Sequence, residues 1–172
     1  MFAEVFGLAI SEGALAHLFA RSKTHVASDV QAILQRLQRS RLVASDETSA
    51  RVTGKNEWEW VFQNESVCLH IIRPSRGAEV IHEVMQDQQP DVWVSDWYSA
   101  QSNHPAKTWQ VCLAHQLRDC QYAIDAGDKH FAGRMKRLLL PGFLIHKKHH
   151  LLTELSLLHY QRDLHRRLKL CR

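Results

Sequence analysis

The apolar positions of the chain change period near residue 40. Over residues 11–39 they recur at helical spacing. Leu15, Leu18 and Phe19 fall on one face, and Val26, Val30, Ile33, Leu34 and Leu37 follow at the same interval. Ser11 and Glu12 stand where a helix would start. This spacing predicts two short helices, the second over about 25–39. Such a pair can be read as a helix-turn-helix, but no cluster of base-reading side chains marks either helix. The expectation is a helical hairpin packed on the main domain.

From residue 41 the period shortens. Leu42–Ala44 reads as a short apolar strand. "EWEWVFQN", residues 57–64, alternates charge and aromatic ring, as a half-buried strand does, and "TGKN" before it supplies a turn. "SVCLHIIRP", residues 66–74, is a third strand. Residues 75–90 form an amphipathic helix closed by Pro90, with Ala78, Ile81, Val84 and Met85 toward the sheet. "DVWVSDWY" is a fourth strand and "WQVCLAH", residues 109–115, a fifth. A helix then runs to about Gly127, and residues 129–172 are mostly helical, interrupted at Pro141-Gly142. Strands that follow helices and rejoin the sheet need crossover connections. The expected fold is therefore α/β: a mixed sheet, with a meander on one side and crossover helices on its faces.

Charge divides the chain unevenly. Residues 129–172 hold eleven Lys and Arg against Glu154 and Asp163 alone, a local net charge of +9 within a total of +4. A basic end behind an acidic body suits a polyanionic partner, or else a solvated helical face. No apolar run is long enough to span a membrane. "MFAEVFGLAISEG" lacks a basic leader and carries Glu4, so a cytoplasmic protein is expected. Cys68, Cys112, Cys120 and Cys171 form no C-x-x-C pair and read as free thiols. Cys112, Cys120 and His115 fit no standard zinc spacing. In "HKKHH", residues 146–150, His146 and His150 share a helical face, but the stretch reads more readily as a phosphate-contacting or solvated patch.

Two of the strands end alike. Leu42-Val43-Ala44 leads through Ser45 to Asp46, and Val92-Trp93-Val94 leads through Ser95 to Asp96. In open α/β sheets, functional groups collect beyond the carboxyl ends of strands. If the first and fourth strands are neighbours, the two carboxylates share an edge. Their repulsion is relieved by a divalent cation, and carboxylate oxygens suit Mg²⁺ or Mn²⁺. Alternatively, each Asp simply forms the turn after its strand.

Five segments in order carry a resemblance: "SDET" at 45–48, "GKNEWEWVFQN" at 54–64, "IRPSRGAEV" at 72–80, "VSDWYSAQ" at 94–101 and "WQVCLAHQLRDCQYAID" at 109–125. Over about residues 5–140 the chain closely resembles the central region of bacterial transposases of the insertion-sequence-sixty-six family. That resemblance implies a ribonuclease-H-like fold and DDE chemistry, in which Asp46 and Asp96 are the first two catalytic acids and hold Mg²⁺ or Mn²⁺. It implies double-stranded DNA as partner, at insertion-sequence ends and target, and a bacterial, nucleoid-associated protein. It leaves room for a homo-oligomer. Glu47 is placed as a neighbour of the site rather than a ligand.

On this reading residues 1–40 are an N-terminal helical segment and 41–128 an incomplete ribonuclease-H-like core. Residues 129–172 are then a basic helical segment that begins the insertion before the third acid. DDE chemistry needs that third carboxylate, a Glu. Glu154 is the only glutamate after Glu83, and "HHLLTELSLL" lacks the expected Asn-rich setting. A truncated transposase, inactive or nearly so alone, is therefore expected. A non-catalytic DNA- or transposase-binding remnant is the alternative. His115 and Arg118 are candidates for contacting DNA phosphates or orienting the acids, or for purely local pairing with Asp119 or Asp125. Arg134, Lys136, Arg137, Lys147 and Lys148 are candidates for following the DNA backbone.

Overall fold

In a computed structural model of the chain, residues 4–5, 7–102 and 104–169 are described; Cys171 lies outside them. The chain divides into two compact units, residues 1–110 and 111–172.

The first unit opens with α1 (Glu12–Gln38), capped by Ser11, whose Oγ accepts from the Ala14 amide at 3.1 Å. It is one continuous helix, not the expected hairpin. Nothing between Phe19 and Val26 breaks it, because that span holds no Gly or Pro. Ser22 satisfies its hydroxyl on the Leu18 carbonyl at 3.0 Å, inside the helix. Leu37 alone of this helix is fully buried, and toward its start Phe19 is 65% exposed.

Five strands follow in one sheet, in the order β3-β2-β1-β4-β5: β1 (Leu42–Val52), β2 (Lys55–Gln63), β3 (Cys68–Arg73), β4 (Val92–Ser95) and β5 (Thr108–Val111). β1 to β3 form the expected antiparallel meander, and β4 runs parallel to β1. β1 corrects the sequence reading. It continues eight residues past Ala44, so Asp46 lies within the strand rather than at its tip. The extension is the polar arm of a hairpin, closed by Thr53 and Gly54 at φ 49° and 80°. Positive φ at both turn residues gives the twist that joins adjacent antiparallel strands. β5 is shorter than expected, and residues 113–115 already belong to the next helix.

Burial alternates along these strands. Val43, Ser45 and Glu47 turn to the covered face of the sheet with Trp60 and Phe62, while Asp46 turns away. α2 (Ala78–Met85) covers that face through Val80, Ile81, Val84 and Met85, whereas Ala78 is exposed, not buried as expected. α3 (Ser99–Ser102) follows β4 and adds Ala100 and Gln101. The core joins Leu37, Val43, Trp60, Phe62, Trp93 and the α2 side chains. Trp60 and Phe62 stack at 5.9 Å, and Trp93 meets Phe62 edge-on at 6.4 Å.

The second unit is helical: α4 (Leu113–Asp125), α5 (Ala132–Lys148), a 3₁₀ turn (His149–Leu151) and α6 (Glu154–Lys169). α4 ends as its sequence suggests. Gly127, at φ 102°, and Asp128 return amide bonds of 2.9 Å to the Ile124 and Ala123 carbonyls. The expected break at Pro141-Gly142 does not occur, and α5 runs through both residues. Proline removes one amide and leaves the carbonyl four residues earlier, that of Arg137, without its helical partner. Arg167 of α6 donates to that carbonyl at 3.2 Å.

Candidate functional site

β1 and β4 share a parallel register: Leu42 beside Val92, Val43 beside Trp93, Ala44 beside Val94. Two residues beyond that register stand Asp46, within β1, and Asp96, immediately after the end of β4. Because strand side chains alternate with period two, both keep the face of Ala44 and Val94. Their carboxylate oxygens lie within 4.8 Å of one another. Asp46 is exposed and Asp96 half-buried.

Each aspartate is also held locally. Asp46 Oδ1 accepts from the Glu47 amide at 3.0 Å, and Asp96 Oδ1 accepts from the Tyr98 amide at 3.0 Å. Asp96 thus forms the turn into α3, as an Asp after a strand commonly does. Turn-forming and facing Asp46 coexist in this residue.

Glu47 points to the opposite, covered face, and its side chain is 0% exposed. Arg76 grips Oε1 with Nε at 3.0 Å and Nη2 at 2.8 Å. Gln101 donates from Nε2 to Glu47 Oε2 at 2.7 Å and to Ser45 Oγ at 3.2 Å. Trp93 donates from Nε1 to Gln101 Oε1 at 3.3 Å. The Arg76 guanidinium lies over the Tyr98 ring at 3.9 Å and the Trp58 ring at 4.7 Å. Burial pushes the Glu47 carboxyl upward and the nearby charge of Asp96 adds to this, while the bonds from Gln101 and Arg76 pull it back. The sequence reading did not single out Arg76 or Gln101. Their signal was present, because both lie inside the quoted segments "IRPSRGAEV" and "VSDWYSAQ".

The remaining candidates lie in the second unit. His115 is half-buried in the first turn of α4, and Arg118 is exposed one turn on. Arg134 and Arg137 are exposed on α5, as are Lys147 and Lys148 in its last turn. Lys136 is half-buried and bonds Gln121 Oε1 of α4. Among the described cysteines Cys68, Cys112 and Cys120 are free thiols, as expected. No helix among the described residues is long and apolar enough to cross a membrane.

A family model describing the IS66 family of transposases matches residues 1–169. The chain belongs to the IS66 transposase family. The match runs on through residues 141–169, beyond the stretch of about 5–140 over which the resemblance is evident in the sequence. No curated protein matches the chain. Membership makes DNA the expected substrate and transposition the process this chain serves. For a family whose chemistry is metal-dependent, the donor set is apt. Asp46 and Asp96 offer hard oxygen donors a few ångströms apart, the type that Mg²⁺ and Mn²⁺ prefer.

Proposed function

We propose that the sheet and its helices form the ribonuclease-H-like core of a DDE transposase, in which Asp46 and Asp96 are the first two acids and hold Mg²⁺ or Mn²⁺. The strand order, with its antiparallel meander and parallel β1–β4 pair, supports this reading of the fold. The observation that carries the functional reading is the shared register of β1 and β4, which leaves the two carboxylates within 4.8 Å on one face. Bound there, a divalent cation would polarise a phosphodiester oxygen and offset the charge that builds up in phosphoryl transfer. The protein's own part is to keep two anionic groups aimed at one point. Asp96 is fixed by the Tyr98 amide and Asp46 by its place in a paired strand.

In this reading His115, Arg118, Arg134, Lys136, Arg137, Lys147 and Lys148 meet the phosphates of double-stranded DNA. We assign no third carboxylate within this chain, and by itself it cleaves DNA poorly or not at all. The test is Mn²⁺ binding together with nicking of supercoiled plasmid. Metal binding lost in Asp46→Asn and in Asp96→Asn, with no nicking by the wild type, is the expected result. Nicking abolished by Asp46→Asn would refute the inactivity while keeping the acids' role. Unchanged metal binding in both variants would sink the metal reading. A second reading, a non-catalytic DNA- or transposase-binding module, draws on the basic residues 129–172 alone. It would be favoured by salt-sensitive DNA binding that ignores Asp96→Asn and disappears when those residues are removed.

A further inference from the structure

We propose that Glu47, Arg76 and Gln101 form a positioning clamp that sets the distance between Asp46 and Asp96. The inference rests on the reading of those aspartates as metal-holding groups. The parallel pairing of β1 and β4 ends at Ala44 and Val94, two residues short of both aspartates. The clamp supplies a tie there, from the opposite face of the sheet.

Its geometry brackets both acids. On β1 the clamp holds the residues on either side of Asp46: Gln101 Nε2 donates to Ser45 Oγ at 3.2 Å and to Glu47 Oε2 at 2.7 Å. On β4 and the turn after it, the clamp holds both sides of Asp96. Upstream, Trp93 Nε1 donates to Gln101 Oε1 at 3.3 Å. Downstream, Tyr98 packs under Arg76 at 3.9 Å, and its amide is the one bonded to Asp96 Oδ1. Arg76 closes the loop with its two-pronged grip on Glu47 Oε1 at 3.0 and 2.8 Å.

Stability alone does not call for this arrangement. A buried ion pair is costly to desolvate, and apolar side chains of similar volume often serve a fold as well or better. Apolar packing has no directional bonds, whereas a fully satisfied polar network ties particular atoms of the two segments to one another. Groups that hydrogen-bond a metal ligand from behind typically contribute 10–100-fold to metal affinity; this clamp acts through the residues flanking each aspartate.

The test measures Mn²⁺ affinity of the full chain by electron paramagnetic resonance of the free ion, with thermal unfolding alongside. The variants are Gln101→Met, which keeps volume and the Glu47–Arg76 pair, and the double variant Glu47→Leu/Arg76→Met, which replaces the pair by apolar groups. In each variant that unfolds cooperatively, the Mn²⁺ dissociation constant is expected to rise about tenfold or more, whatever the melting temperature does. A purely structural network predicts otherwise: affinity within about twofold of wild type in a folded variant would overturn the clamp and leave the metal reading standing. If the wild type binds Mn²⁺ no better than Asp46→Asn and Asp96→Asn do, the metal reading fails and the clamp fails with it.

Discussion

Arg167 donates from Nη2 to the Arg137 carbonyl at 3.2 Å, the acceptor that Pro141 deprives of its helical amide. A proline inside a helix costs roughly 3 kcal/mol, part of it the unsatisfied carbonyl. One side chain from α6 supplies the missing donor, and Asp163 holds Arg167 in place at 3.7 Å. Arg167→Met is expected to destabilise the protein by about 1 kcal/mol. In a Pro141→Ala background, where the helical bond is restored, the same change should cost much less. Urea unfolding of the four proteins of this cycle checks it; strictly additive effects would show that the two residues are not coupled.

Asp128 gives the second unit an acid-sensitive joint. Its carboxylate accepts from the His130 amide at 2.7 Å, the Phe131 amide at 2.9 Å and the Ala132 amide at 3.3 Å, capping the start of α5. Those bonds, His130 and Phe131 foremost, hold its carboxyl below the usual aspartate range. A depressed folded value means that the stabilisation is complete above the ordinary value of 3.8 and is lost as pH falls through the folded one. Helical circular dichroism followed downward from neutral pH should therefore fall in that acid range. In Asp128→Asn this part of the fall should be absent. Glu47, whose carboxyl is raised by burial, works with the opposite sign: its contribution is complete below 4.5 and lost as pH rises.

The basic end makes a salt prediction. If α5 follows DNA, duplex affinity falls linearly on a log–log plot against salt, and removing one phosphate-binding charge lowers the slope by about one. Lys147→Gln and Lys148→Gln, both exposed side chains, should each reduce the slope without altering the fold. A slope unchanged in the double variant would place the DNA elsewhere on the molecule.

The hairpin carries a strained residue. Thr53, β-branched, sits at φ 49°, where Asn or Gly is favoured. Thr53→Asn should raise stability by about 0.5–1 kcal/mol, and Gly54→Val, at φ 80°, should lower it by at least as much. Melting temperatures of the two variants that move in the same direction would contradict this account.

What the sequence disclosed follows from where water is excluded. Trp58, Trp60 and Phe62 alternate because one face of β2 packs on the core, and that alternation can be read directly. The outer half of β1 has no such signature. Thr48 to Val52 are exposed except for half-buried Ala50 and show no apolar alternation, so the stretch looks like a loop. In α1 the reverse holds: the apolar period was visible, but continuity depends on the absence of any breaker, a weaker cue than a turn residue. Asp46 and Asp96 could be singled out because each follows an apolar run and a serine, although only Asp96 lies at a strand end. Arg76 and Gln101 were not singled out, because they meet Glu47 across 29 and 54 residues of sequence, and no local period encodes that contact.

Asp46 and Glu47 are adjacent acids with opposite outlooks, one toward solvent and one toward the core. Which carboxyl is displayed therefore depends on parity, on whether an even or odd number of residues separates it from Ala44. Loss of a single residue between Ala44 and Asp46 would carry Glu47 outward into the place of Asp46 and thrust a hydroxyl into the slot beside Arg76. In this short span, a change of length by one exchanges the displayed acid for the buried one.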